Sequence, residues 1–336
     1  MTYNISSLYQ SPIRQYINQS IYQKPTVYIS INNQKYQCII HNKKISPISI
    51  YWAQILWISS SNLKSDYISD ITNQITSQTK WICIYIQFGL SDSLETEEDT
   101  KNIIDNNSNY DSNNNIENKN ILTSGSLVKS LRENMPSWST YIHTSQDIDN
   151  IYNLISKSHK THIKKAISRW LEFEVWKLED KDKFYEIWKQ TACDKWFGIP
   201  SQAKFDNLIS YIYTENCGSI FLCKLNWEII WWAVCLFVEL DNENVVIYLY
   251  GMTDRHAGNI GTNQFLHRNI IKRCHQNRYD IYDFLGISGI HDDDTHHLAG
   301  VTKFKLWYGG EAKYIYWSYD LVINKYIYRL YQKIAK

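Results

Sequence analysis

Glycine is scarce in this chain. There are 12 Gly in 336 residues, where average usage of about 7% would give roughly 23. Turns and helix ends that need left-handed backbone must therefore be filled by other residues. Paired cysteine motifs are absent too. The seven Cys (38, 83, 193, 217, 223, 235 and 274) are odd in number, scattered and never C-x-x-C, which argues against a disulfide framework or a zinc ribbon and for reduced thiols. Net charge is only +1, so no global field draws the protein to nucleic acid and any such contact must be local. No apolar run reaches the roughly 18 residues that cross a bilayer. Residues Met1–Ser6 lack the basic-then-apolar plan of a secretory signal, and together these features predict a cytoplasmic protein. A G-x-S-x-G elbow, a Walker loop and H-E-x-x-H are all missing, which excludes the common covalent-nucleophile and zinc-hydrolase patterns.

What is present is an ordinary globular balance, 44% apolar and 21% charged, in 39.9 kDa. That size suits one large domain or two medium ones. In the first half, short apolar runs at 26–31, 35–40, 48–58 and 81–88 read as strands, with a helix near 66–79. Residues 95–120 turn acidic and then Asn-rich, with too little apolar content to offset ordering entropy, and predict a disordered insertion. In the second half, Thr144-x-x-Asp147 predicts a helix start. A strand (171–175), two helices (180–195, 201–215), a hairpin (219–225, 228–240), a strand (245–251), a helix (261–275), a strand (279–285), a loop, a strand (312–318) and a helix (321–334) follow. Helices interleaved with a mixed sheet predict α/β (α+β) layering. The domains expected are 1–145, 146–318, and a terminal helix in 319–336.

Tryptophan is abundant, 13 against 10 Phe, and it falls where glycine is wanted. Asn226-Trp227 joins two strands in a two-residue turn that favours Asn-Gly. Trp170 and Trp196 follow helix ends, and Trp307 precedes Tyr308-Gly309-Gly310. A bulky left-handed residue costs on the order of 1–2 kcal/mol. Two readings fit the pattern: a UGA codon read as glycine by the source organism and rendered as tryptophan here, or a lineage that tolerates tryptophan with local distortion.

Several constellations could carry chemistry. Tyr248 and Tyr250 alternate with Leu249, which places both phenols on one face of a strand, although a half-buried Tyr ladder is an equally plain reading in a chain with 26 Tyr. Arg255-x-x-Gly258-x-x-Gly261 leads into a helix opened by Thr262-Asn263, whose free amides could hold an anion or form an ordinary turn. The loop His291–His297 mixes carboxylates and imidazoles without the i, i+4 spacing of a ligand pair, so no metal site is expected. His159, Lys160, His162, Lys164 and Lys165 form a basic helical stretch that suits phosphates or plain solvation.

The blocks Tyr248-Leu249-Tyr250-Gly251, Tyr282-Asp283-Phe284-Leu285-Gly286-Ile287 and Phe304-Lys305-Leu306-Trp307-Tyr308-Gly309-Gly310 resemble, in order and spacing, the FemABX family, which adds amino acids to the stem peptide of cell-wall precursors. The resemblance runs from about Asp147 to the end, with the first half looser. It implies two GNAT-like domains, each a mixed sheet flanked by helices, the C-terminal helix packing back on the first. The long two-helix arm of some members has no room here. It further implies an aminoacyl-tRNA co-substrate without other cofactor, a muropeptide precursor as acceptor, transient contact with the inner membrane face, and amide formation without a covalent enzyme intermediate. Lys305 would be the catalytic cation. Tyr248, Tyr250, Phe304, Gln87 and Asn263 would bind substrate, and Lys160, Lys164 and Arg255 would meet phosphate or tRNA. Asp283 would hold a sheet edge. By the same resemblance, Trp170, Trp196, Trp227, Trp307, Trp317 and one of Trp231 or Trp232 stand where relatives carry glycine. Pro200 stands where relatives use Arg on a precursor phosphate, Lys204 where they have an aromatic, and Gln87 at a carboxylate position, where an amide cannot act as a base. An acyl-coenzyme A N-acyltransferase, suggested by the Arg255 loop, and a non-catalytic precursor- or tRNA-binding module remain as alternatives.

Overall fold

The computed structural model describes residues 11–45, 48–58, 65–79, 83–90, 127–130, 136, 138–176, 181–195, 198–240, 242–253, 260–288, 296, 298–315 and 317–334. The chain divides into two compact units. One runs to Ser137 and resumes at Ile315, and the other spans Trp138–Tyr314. The Asn-rich segment 95–120, Trp196, Arg255 and His291–Thr295 lie outside the described residues.

The first unit contains α1 (Pro12–Tyr16), continued by a π turn to Ile21, then β1 (Thr26–Ile31), β2 (Gln34–Ile45), β3 (Ile48–Ile58), α2 (Ser65–Gln78), β4 (Cys83–Leu90) and β5 (Leu127–Lys129). Its sheet has the order β1-β2-β3-β4-β13-β5, where β13 is Trp317–Val322 from the chain's last stretch. All pairs are antiparallel except β3 with β4, which α2 connects. Period-2 alternation puts Val27, Ile29, Ile31, Ile55, Ile86 and Phe88 in one core with Ile71 and Ile75 of α2. On the other face Trp52, Tyr85 and Val322 pack with Tyr328 and Tyr331 of the terminal helix α9 (Lys325–Ile334). That helix thus packs on the first unit, as expected.

The second unit holds β6 (Trp138–His143), α3 (Ile148–Leu154), α4 (Lys157–Ser168), β7 (Glu172–Val175), α5 (Lys181–Lys195), α6 (Gln202–Thr214), β8 (Gly218–Leu225), β9 (Glu228–Leu240), β10 (Glu243–Thr253), α7 (Thr262–Gln276), β11 (Ile281–Ile287), α8 (Ala299–Leu306) and β12 (Glu311–Tyr314). Its sheet runs β12-β6-β11-β10-β9-β8-β7, with only β10 and β11 parallel and α7 between them. One face packs on α4 and α7 through Ile163, Ala166, Phe265, Leu266, Ile270 and Tyr282. The opposite face carries a cluster in which Trp232 meets Phe184 of α5 and Phe205 of α6, with Trp188 between. The mixed-sheet α/β class is the one expected, and among the described residues no helix exceeds the 15 residues of α5 and α7.

Four expectations need correction. The unit boundary falls at 137/138 rather than 145/146, because β6 pairs with β11 and β12 and so belongs to the second sheet. The strand expected at 312–318 is two strands in different sheets, and the helix expected from 321 begins at Lys325, because 317–322 inserts between β4 and β5. Phe304-Lys305 is not in a loop but on α8, whose weakly periodic 299–306 gives little helical signal. Of the pair Trp231 or Trp232, Trp232 is the fully buried one, at the centre of its aromatic cluster. Trp232→Ala is expected to cost about 3–5 kcal/mol, read as a lower urea midpoint.

Candidate active site

The segment Tyr282-Asp283-Phe284-Leu285-Gly286 opens a break in β11. Register with β6 shifts between Asp283 and Gly286, and Leu285 adopts a left-handed φ of 60°. The buried Asp283 carboxylate shapes the break, since Oδ1 accepts from Ser139 Oγ at 2.7 Å and from the Leu285 amide at 2.5 Å. The bulge turns two carbonyls out of the ladder. Lys305 on α8 donates its Nζ to both, Leu285 O at 3.1 Å and Gly286 O at 2.6 Å. Only 7% of Lys305 is exposed. Burial pushes its ammonium down to about 8, with nearby Asp283 opposing the shift. Asp283, expected to hold a sheet edge, shapes a break in an interior strand instead.

Around this ammonium lies a ring cluster that sequence reasoning did not single out. His267 is fully buried, its Nδ1 at 2.7 Å from the Tyr282 hydroxyl, with Tyr248, Phe284, Phe304 and Tyr308 rings about it. His159, also buried, donates from Nε2 to Phe304 O at 3.1 Å. Burial pushes His267 down to about 3, assisted by Lys305, and His159 down to about 4. Both imidazoles are neutral at pH 7, which leaves the cluster's positive charge to Lys305. Tyr248 and Phe304 therefore do join Lys305, through His267.

Tyr250 does not. The bulge between Tyr248 and Tyr250 puts Tyr248 opposite Cys235 and Tyr250 opposite Val234. The extra residue reverses the alternation, so the two phenols lie on opposite faces rather than on one. Tyr250 packs on Trp188 with ring centroids 5.0 Å apart. Tyr248 lies over Gly251, where any Cβ would fall 2.0 Å from the phenol oxygen. Asn263 is half-buried in the first turn of α7, its carbonyl near the Tyr308 hydroxyl at 3.4 Å. Lys160 donates to Asn153 O at 3.1 Å, and Lys164 is exposed on α4. The Pro200 carbonyl accepts from Tyr185.

Gln87 belongs to the first unit, where it is buried in a row of polar side chains across four strands. His41 Nε2 bonds Gln54 Oε1 at 3.0 Å, Gln54 Nε2 donates to Gln87 Oε1 at 2.8 Å, and Gln87 Nε2 donates to Asp320 Oδ1 at 3.3 Å. Ser130 and Tyr328 hydroxyls also donate to Asp320, at 2.6 and 2.7 Å. Every donor points toward that carboxylate, yet burial prevails and pushes Asp320 up to about 6.

At the His41 end the row meets a cavity of about 300 Å³ lined by Arg14, Asn18, Lys24, Ile39, His41 and Gln54 among others, with no carboxylate among the described residues of its wall. Burial and then the Arg14 guanidinium lower Lys24; burial and then Lys24 push His41 down to about 4. Cations close enough to repel one another in a partly buried pocket fit an anionic group. None of these residues was singled out from sequence. The available signal was polar Gln37, His41, Gln54 and Gln87 inside otherwise apolar strands.

Residues 221–336 match the model of the FemAB family. The match covers the last third of the chain. That stretch contains every residue of the Lys305 cluster on β10, α7, β11 and α8. No curated protein sequence matches the chain. Among solved structures, that of FemX superposes with a TM-score of 0.68 at 14% identity, covering 97% of this chain and 94% of that one. A conserved protein of unknown function from Bacteroides thetaiotaomicron gives 0.55 at 12% identity, covering 94% and 90%. L-PGS from Bacillus licheniformis gives 0.51 at 9%, covering 97% and 95%. At these identities the likeness establishes the fold.

The Asp320 row yields a stability prediction. A carboxyl that ordinarily titrates near 4 and is raised to about 6 when folded binds more protons folded than unfolded in that interval. Its contribution is therefore present below about pH 4 and lost as pH rises through 6. Asp320→Asn is expected to flatten this part of the stability–pH profile in denaturant titrations between pH 4 and 7.

Proposed function

We propose that this protein is an aminoacyltransferase that moves an amino acid from aminoacyl-tRNA onto an amine of a peptidoglycan precursor. The observation that carries the reading is the Lys305 ammonium, seated on the β11 break within the stretch that matches the FemAB family. In this reaction the precursor amine attacks the ester carbonyl carbon, the new C–N bond forms, and the bond to the tRNA ribose oxygen breaks. The amine's proton leaves as the ribose hydroxyl is restored. Such aminolysis asks the protein for alignment and for charge beside the oxyanion of the tetrahedral intermediate. Two of the three Nζ donors hold the strand carbonyls, which fixes the ammonium and leaves one donor for substrate. Tyr248 and Phe304 border the same cluster and would position the reacting groups. The cationic cavity of the first unit would, by itself, take an anionic group.

A second reading, a precursor-binding module without turnover, is favoured by Gln87: the resemblance implies a carboxylate at its position, and its amide is engaged in the polar row. Incubating the protein with a mixture of charged tRNAs and UDP-linked or lipid-linked muropeptides separates the two. Products heavier by one amino-acid residue support transfer, whereas retained precursor of unchanged mass supports the binding module. Formation of an acylated product from acyl-coenzyme A without tRNA would replace both.

Lys305→Met is expected to lower turnover about 10²–10³-fold, the loss typical of one oxyanion donor, while precursor binding persists. Wild-type turnover is expected to fall as pH rises through about 8, where the ammonium discharges. Lys24→Met is expected to weaken inorganic phosphate binding to the first unit's cavity roughly 10–100-fold, the scale of one charged hydrogen bond, measured by calorimetry.

A further inference from the structure

We infer that residues 170 and 227 are glycine in the protein made by its own cell, one codon having been rendered as tryptophan at both positions. The two sites lie in different kinds of backbone, and each has the geometry that glycine serves. At the end of α4, Arg169 is the cap and Trp170 follows with φ 60°. The Trp170 amide bonds Ile167 O and the Leu171 amide bonds Ala166 O, the paired 5→2 and 6→1 bonds of a Schellman ending. Between β8 and β9, Leu225 pairs with Glu228, so Asn226-Trp227 is a two-residue turn. Both of its residues are left-handed, φ 50° and 69°, the type I′ form that selects Asn-Gly.

Left-handed backbone alone does not decide the matter, since Arg278 holds the equivalent position after α7. Exposure does. Trp170 is 85% and Trp227 83% exposed, whereas Trp52, Trp176, Trp188 and Trp232 are all under 9%. The largest apolar side chain gains almost no burial at either site to offset its strained backbone. The buried tryptophans, by contrast, fill space that glycine would leave empty. Trp307 is right-handed at φ −68°, with the left-handed role taken by Gly309, so the inference does not extend to it. One consequence is that the two exposed indoles are not a docking surface.

The coding DNA and one peptide test this. Residues 170 and 227 are expected to share a codon that differs from the codon at Trp52, Trp176, Trp188 and Trp232. Cleavage after Arg169 and Lys177 releases a peptide holding both Trp170 and Trp176. From protein isolated from its source cell, that peptide is expected to be lighter than the printed sequence by about 129 Da, one Trp-to-Gly replacement. Unchanged mass overturns the inference, as does a double decrement, which would convert the buried Trp176 as well. A single codon shared by all six positions overturns it too. In recombinant protein carrying tryptophan, Trp170→Gly and Trp227→Gly are each expected to raise the folded-to-unfolded ratio roughly 5–30-fold. A fall in that ratio at either site would count against the inference.

Discussion

The second unit's chemistry depends on the contact between one ammonium and two carbonyls that a strand has released. A continuous β11 would spend the Leu285 and Gly286 carbonyls on its neighbour. Asp283 prevents this by taking the Leu285 amide onto its own carboxylate, and Ser139 from the adjacent strand holds that carboxylate in place. Lys305 then satisfies what the break leaves open. Each partner would be costly alone: buried carbonyls without donors, a left-handed leucine, and a nearly buried ammonium. Together they fix a cation whose charge is held only weakly near neutral pH.

The rings around it follow from the same economy of space. His267 and His159 lie inside an aromatic cluster that leaves no room for their charge, so they pack as neutral rings and position Phe304 and Tyr248. Gly251 matters here for its missing Cβ, since Tyr248 occupies that space. In the first unit the logic is reversed. A buried polar row is aligned toward Asp320 on the side of the sheet that α9 covers, and its other end meets a cavity walled by cations.

Much of this was legible in the sequence, and the failures have definite causes. Strands β1 to β4 and helix α7 read directly from alternation and helical period. The blocks Tyr282–Ile287 and Phe304–Gly310 contain the two residues, Asp283 and Lys305, that meet at the β11 break. Tyr248 and Tyr250 were misread because alternation assumes an unbroken strand, and a one-residue bulge reverses it without any Gly or Pro to announce it. Trp317–Val322 was misread because its neighbours in the sheet, β4 and β5, lie far away in sequence. The cationic cavity was invisible for a similar reason: Arg14, Lys24, His41 and Gln54 come from four separate segments and form no motif.

The central claim is that the β11 break holds Lys305 as a buried, weakly charged ammonium. Selective ¹⁵N labelling of lysine, with the Lys305 Nζ resonance assigned by the Lys305→Met variant and followed from pH 6 to 11, tests it most directly. The account predicts a midpoint near 8, falling further in Asp283→Asn, where the opposing carboxylate charge is gone. A midpoint near the 10.4 of a free lysine, indifferent to Asp283, would contradict it.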